Sequence, residues 1–83
     1  MKRIEYSARA LKNLRHLPAN DRQRLAGKIM QLATEPQTLT NNIKRLQGWP
    51  GFRLRVGDYR VIFEISDDVL SIIDVDVRGN IYE

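Results

Sequence analysis

The sequence predicts an α+β fold, with an N-terminal strand and a two-helix hairpin packed on a small, mainly antiparallel sheet in the order β-α-α-β-β-β. Three observations carry this. A short Ile- and Tyr-rich start, "KRIEY", precedes Ser7; apolar residues then recur at helical spacing as far as Pro36; and everything after Gly51 alternates. With 83 residues the chain is expected to be a single domain, 1–83, near the lower end of what can bury a sufficient core unaided.

"KRIEY" reads as a strand, and Ser7 as the N-cap of a helix in which Leu11, Leu14 and Leu17 form the apolar stripe and Pro18 the stop. A second helix starts near Ala19, with Asn20 or Asp21 at its beginning. Its stripe is Leu25, Ile29, Leu32 and Ala33, and Pro36 closes it. "QTLTNNIKRLQGWPG" has no clear period and reads as a loop with a short ordered piece around Ile43 to Leu46. Three β segments follow, "FRLRV", "YRVIFEI" and "VLSIIDVDV", joined by "GD" and "SDD".

Composition narrows the function classes. The 42% hydrophobic and 29% charged content fits a folded chain and not a disordered one. The absence of cysteine removes disulfides and thiolate catalysis and fits a reducing compartment. Behind the basic N-terminus no apolar run follows, and no window is long enough to span a membrane, so a cytoplasmic protein is expected. The net charge of +4 suggests an anionic partner, but its distribution is uneven. Residues 1–48 hold ten Lys/Arg and three Asp/Glu, whereas residues 49–83 hold four arginines among seven acids. Those four, Arg53, Arg55, Arg60 and Arg78, need a separate explanation.

Gly57-Asp58 is a natural two-residue turn, and it fixes a register in which Arg55 faces Arg60 and Arg53 faces Ile62. Phe52, Leu54, Val56, Tyr59, Val61 and Phe63 then share one face, a core, while Arg53, Arg55, Arg60 and Ile62 share the other. Directly opposed arginines cost about 0.2–1 kcal/mol unless an anion lies between them. A phosphate would reverse the sign, and the guanidinium fork suits its oxygens. The bland reading is a solvated basic face whose arginine stems cover Ile62. A three-residue "SDD" turn would set Arg60 against Asp74, either as a surface ion pair or as a support for the arginine.

The chain ends "VDVRGNIYE", where Tyr82 is either a docking anchor or a functional group. The combination of "GFRLRVGDYRVIFEI" with a downstream "RGNIY", in a chain opened by a strand and two helices, resembles the RelE/ParE superfamily of toxins from type II toxin–antitoxin systems. The likeness covers essentially the whole chain. It implies the RelE-like fold and, in the RelE-like branch, a metal-independent endoribonuclease that cuts mRNA in the ribosomal A site and needs no cofactor. It implies Arg53, Arg55, Arg60, Arg78 and Tyr82 as the catalytic set, and a cognate antitoxin that assembles with the toxin. The family's alternative C-terminal histidine is absent, since His16 is expected on the surface of the first helix. Two departures, Asp74 and Asp76, weaken the local positive field. Arginine, with a pKa above about 12, is a poor proton carrier, and tyrosine sits near 10, so Tyr82 with its pKa lowered by arginines is the candidate base. The rival readings are a ParE-like inhibitor of DNA gyrase and a basic nucleic-acid-binding module, the latter ill served by only six aromatics. The basic helical residues Arg9, Lys12, Arg15, Arg22, Arg24 and Lys28 could receive an acidic antitoxin or ribosomal RNA, or simply keep the protein soluble.

Overall fold

A computed structural model describes residues 1–48 and 50–77. The elements are β1 (Arg3–Tyr6), α1 (Ala8–Arg15), α2 (Ala19–Thr34), a 3-10 helix (Pro36–Asn42), β2 (Ile43–Arg45), β3 (Phe52–Val56), β4 (Tyr59–Ser66) and β5 (Val69–Val77). Five strands form one sheet in the order β1-β5-β4-β3-β2, antiparallel except for the β1–β5 pair. The expected α+β architecture is present, with one strand more than the alternation revealed.

Each early element has a local cause. In β1, Ile4 and Tyr6 turn inward while Arg3 and Glu5 stay exposed. Ser7 has the extended backbone of an N-cap and its hydroxyl accepts the Ala10 amide at 3.0 Å. The same hydroxyl donates to the Ile73 carbonyl at 2.6 Å, so the cap also pins α1 to β5. The apolar stripe of α1 differs from the expected one. Ala10 and Leu14 are buried and Leu17 is half-buried, but Leu11 is 44% exposed. The stripe runs at the i, i+4, i+7 spacing of an α-helix, and the small Ala10 lets the backbone approach the sheet. In α2 all four expected residues, Leu25, Ile29, Leu32 and Ala33, are buried, and Asp21 lies in the first turn, where a carboxylate suits the helix dipole.

The segment read as a loop contains a 3-10 helix and the edge strand β2. Three residues are too few to display an alternation, and only Ile43 points to the core. Gly51 then turns the chain with φ 123°; a Cβ there would stand 2.8 Å from the Phe63 carbonyl oxygen, so glycine is required.

The β3–β4 register is the expected one, including Arg55 opposite Arg60. The β4–β5 register is not. Asp67 and Asp68 make a two-residue turn closed by Ser66 and Val69, with Asp67 accepting φ 53°, a conformation that Asp tolerates. A β-bulge then breaks the pairing between Ile62 and Phe63, which face Asp74 and Ile72, and leaves Ile73 as the extra residue. Consequently Arg60 faces Asp76, and Asp74 faces Ile62, which corrects the expected Arg60–Asp74 pair.

The main core lies between the helices and one face of the sheet and includes Leu25, Ile29, Leu54, Val61, Phe63, Leu70 and Ile72. On the opposite face Ile62 is also fully buried, packed with Leu46 and Ile73. Past Tyr6, which pairs with Ile72, β5 has no β1 partner, and α1 substitutes for one. Its Asn13 side chain donates to the Val75 carbonyl at 2.9 Å, next to the Ser7 bond to Ile73. A strand edge that would otherwise invite pairing is thereby closed by side chains. Among the described residues no helix is long and apolar enough to cross a membrane.

Candidate active site

The cationic face is built by backbone register. Lys44 of β2 faces Arg53 of β3, which faces Ile62 of β4; one row nearer the turn, Arg55 faces Arg60, which faces Asp76 of β5. Side chains of directly paired residues share a face, so the sheet gathers Lys44, Arg53, Arg55 and Arg60 on one side without any loop having to place them. With Asn41 and Asn42 from the end of the 3-10 helix they line a hollow of about 190 Å³. Arg53 and Arg60 are half-buried and Arg55 is exposed, and Nη1 of Arg60 is shielded from solvent. Four cations around so small a volume repel one another, and a phosphate placed among them accepts charge-assisted hydrogen bonds from forks that water screens only in part.

The hairpin tip is held from the helical side. The Tyr59 hydroxyl donates to Asp21 Oδ2 at 2.8 Å, and this bond, followed by burial, raises the phenol above its ordinary pKa. The Arg24 guanidinium lies against the turn, so a Cβ at Gly57, whose φ is 60°, would meet Nη2 at 2.6 Å. Both contacts fix the turn that sits between Arg55 and Arg60. Phe52 and Phe63 stack at 5.5 Å between ring centroids, and the Arg45 guanidinium lies 5.6 Å over Phe52.

The two acids in β5 have separate surroundings. Asp74 is 1% exposed; its Oδ1 accepts Asn13 Nδ2 and the Val75 amide, each at 2.8 Å, and its Oδ2 lies 3.0 Å from Arg9 Nε. It therefore belongs to the α1–β5 junction. Asp76 borders a second hollow with Ala8, Arg9, Lys12 and Asn13 while standing across the sheet from Arg60.

Of the five residues expected to act, Arg53, Arg55 and Arg60 line one hollow, whereas Arg78 and Tyr82 lie outside the described residues. Lys44, Asn41 and Asn42 were not expected there. The only trace of them in the sequence is the "NNIK" run ahead of the ordered piece. His16 is exposed at the C-cap of α1, its Nδ1 2.7 Å from the Lys12 carbonyl, as a surface histidine should be. Of the basic helical residues, Arg9, Lys12, Arg15, Arg22 and Arg24 are exposed and Lys28 is half-buried. Among the described residues no three His, Asp or Glu side chains cluster to hold a metal.

A strand, a helical hairpin and a mostly antiparallel five-stranded sheet with an arginine-bearing face define a small α+β domain, and the comparisons say which family it belongs to. Residues 4–82 match the model of the ParE toxin of type II toxin–antitoxin systems, and the chain belongs to that family. Its relatives include toxin RelE3 of Methanocaldococcus jannaschii, 29% identical over 84 residues that cover 98% of this chain and 96% of the relative. The mRNA interferase toxin RelE of Escherichia coli K12 is 23% identical over 83 residues, covering 95% and 87%. Among solved structures, the archaeal RelE–RelB complex of Pyrococcus horikoshii OT3 matches with a TM-score of 0.78 and 28% identity, over 96% of this chain and 98% of that one. The E. coli RelBE toxin–antitoxin complex matches with a TM-score of 0.77 over 96% of this chain and 100% of that one, at 24% identity, a likeness of fold.

Proposed function

We propose that this chain is the toxin of a type II toxin–antitoxin system and acts as a single domain in the cytoplasm, as a ribosome-dependent, metal-independent mRNA endoribonuclease. The observation that carries this reading is the hollow where Arg53, Arg55 and Arg60 converge. It is supported by relatives named RelE, one of them an mRNA interferase.

RNA carries its own nucleophile, the 2′-OH, which attacks the adjacent phosphorus when it is aligned and deprotonated. What a protein must supply is alignment, stabilisation of the added negative charge and a route for two protons. Arg53 and Arg55 grip the scissile phosphate, and Arg60, whose Nη1 is shielded from solvent, meets the charge that develops on its oxygens. Arg78 adds positive charge near the leaving oxygen, and Tyr82 takes the 2′ proton; both assignments follow the superfamily pattern. Ribosomal RNA holds the codon in place. The partner that restrains the toxin is an antitoxin encoded beside it, as the RelB-bound relatives suggest.

The gyrase reading attached to ParE toxins gives no role to arginines gathered opposite one another around one hollow. Primer extension on a reporter mRNA after induced expression separates the two. Discrete cuts in wild-type cells and none with Arg60→Ala support the endoribonuclease, whereas growth arrest with accumulating DNA breaks and intact mRNA overturns it.

A further inference from the structure

A guanidinium cannot deliver a proton at neutral pH, so the three arginines leave one of the two proton transfers without a carrier. Lys44 enters the same hollow from a neighbouring strand. It is opposite Arg53 in the β2–β3 ladder, on the arginine-bearing side, because its neighbour Ile43 is the residue that packs into the core. Of the six described residues that line the hollow, Asn41 and Asn42 do not titrate and three are arginines, which leaves Lys44 as the one among them able both to hold a phosphate and to give up a proton. The Lys44–Arg53 pair lies one row from Arg55–Arg60, so the ladder sets Lys44 on the same face as the three arginines.

We propose that Lys44 is the general acid of the cleavage, the residue that protonates the departing 5′ oxygen of the RNA. The inference rests on the endoribonuclease reading above. In the step, the 2′ oxygen attacks phosphorus and the P–O2′ bond forms as the P–O5′ bond breaks. The 2′ proton passes to a base, for which the superfamily pattern offers Tyr82, and is released from it to water. The Lys44 ammonium gives a proton to O5′, leaving a 5′-hydroxyl and a 2′,3′-cyclic phosphate, and the amine regains a proton from water. Arg78 contributes charge at the leaving oxygen, and Lys44 contributes the proton.

The test uses single-turnover cleavage of ribosome-bound mRNA by the full-length toxin, with wild type, Lys44→Arg and Lys44→Gln. Each is run on a normal substrate and on one whose scissile 5′ oxygen is replaced by sulfur. Lys44→Arg keeps the positive charge and removes the usable proton. Lys44 is exposed, so both variants are expected to keep the wild-type melting temperature. On the oxygen substrate Lys44→Arg is expected to lose about 10²–10⁴-fold in rate, the usual contribution of general acid catalysis, with RNA affinity unchanged. A thiolate leaves without protonation, its conjugate acid having a pKa near 8.5, so on the sulfur substrate the variant should match wild type. Equal rates for Lys44→Arg and wild type on the oxygen substrate overturn the inference, as does an equal loss on both substrates, which would make Lys44 a binding group. A wild type that leaves ribosome-bound mRNA intact overturns the endoribonuclease reading, and this inference with it.

Discussion

The two sides of Arg60 differ in charge. Toward β3 and β2 the sheet presents Arg55, Arg53 and Lys44, while toward β5 it presents Asp76 and, one row further from the turn, Asp74. On the cationic side a hollow is lined, among the described residues, by cations and asparagines and by no carboxylate. The acidic side is divided between a carboxylate locked into the α1–β5 junction and one that faces Arg60. The difference teaches that opposed like charges are tolerated here in a set place. Among the described residues the carboxylates beside Arg60 come from β5, and the side toward β3 and β2 presents cations to an anion.

The largest expected effect comes from removing the arginine at the boundary. Arg60→Ala should lower mRNA cleavage by about 10²–10³-fold, as loss of one preorganised charge-stabilising donor does, with the fold intact by circular dichroism. Retention of more than half the wild-type rate would break the contrast, because Arg60 would then belong to the acidic flank alone.

Next in size is a loss of stability at the junction. Asp74→Ala strands the Val75 amide and takes one of the two acceptors from the Asn13 side-chain amide, and should cost about 1–3 kcal/mol in urea unfolding, the penalty for leaving a buried donor unsatisfied. The Arg9 contact adds little, since the Arg9 side chain is 66% exposed. An unchanged urea midpoint would mean that Asp74 does not hold α1 against β5.

Asp76→Asn sharpens the comparison most directly, because it removes the charge that faces Arg60 and keeps the shape. RNA should bind more tightly, by up to about fivefold, the range that a cross-strand ion pair can supply, while the cleavage rate of the bound complex falls. A rise in both affinity and rate would show that Asp76 only dilutes the positive field and does not orient Arg60.

The smallest effect lies at the hairpin tip. The raised pKa of Tyr59 means that the folded state favours the protonated phenol, so its contribution is complete below the unfolded value near 10 and is lost as pH rises through the higher folded value. Tyr59→Phe should therefore melt lower than wild type at pH 8, with the gap closing above pH 10. A gap that is constant with pH would remove the Asp21 bond as its cause.

Much of this was legible in the sequence because it follows from short-range rules. Gly57-Asp58 dictates a two-residue turn, and the turn sets every pair from Val56–Tyr59 to Phe52–Phe63. The stripe of α2 and the Ser7 cap are equally local. The misreadings share a cause, since they concern features without a local signature. "SDD" allows a two- or a three-residue turn, and the bulge that leaves Ile73 extra has no signature in the residues around it, so Asp76 and not Asp74 stands opposite Arg60. β2 is too short to alternate, and with it Lys44 was passed over, although it stands in the same hollow as the arginines the hairpin revealed. Arg78 and Tyr82 were read from the superfamily motif and lie outside the described residues.

The central claim is that the cationic flank of Arg60 cuts RNA through its own 2′-OH. The measurement that tests it most directly is end-group analysis of mRNA from purified programmed ribosomes treated with wild type and with Arg60→Ala. The predicted result is an upstream fragment ending in a 2′,3′-cyclic phosphate and a downstream fragment beginning with a 5′-hydroxyl, formed by wild type and not by the variant. Intact mRNA with wild type, or fragments carrying a 5′-phosphate, would contradict it.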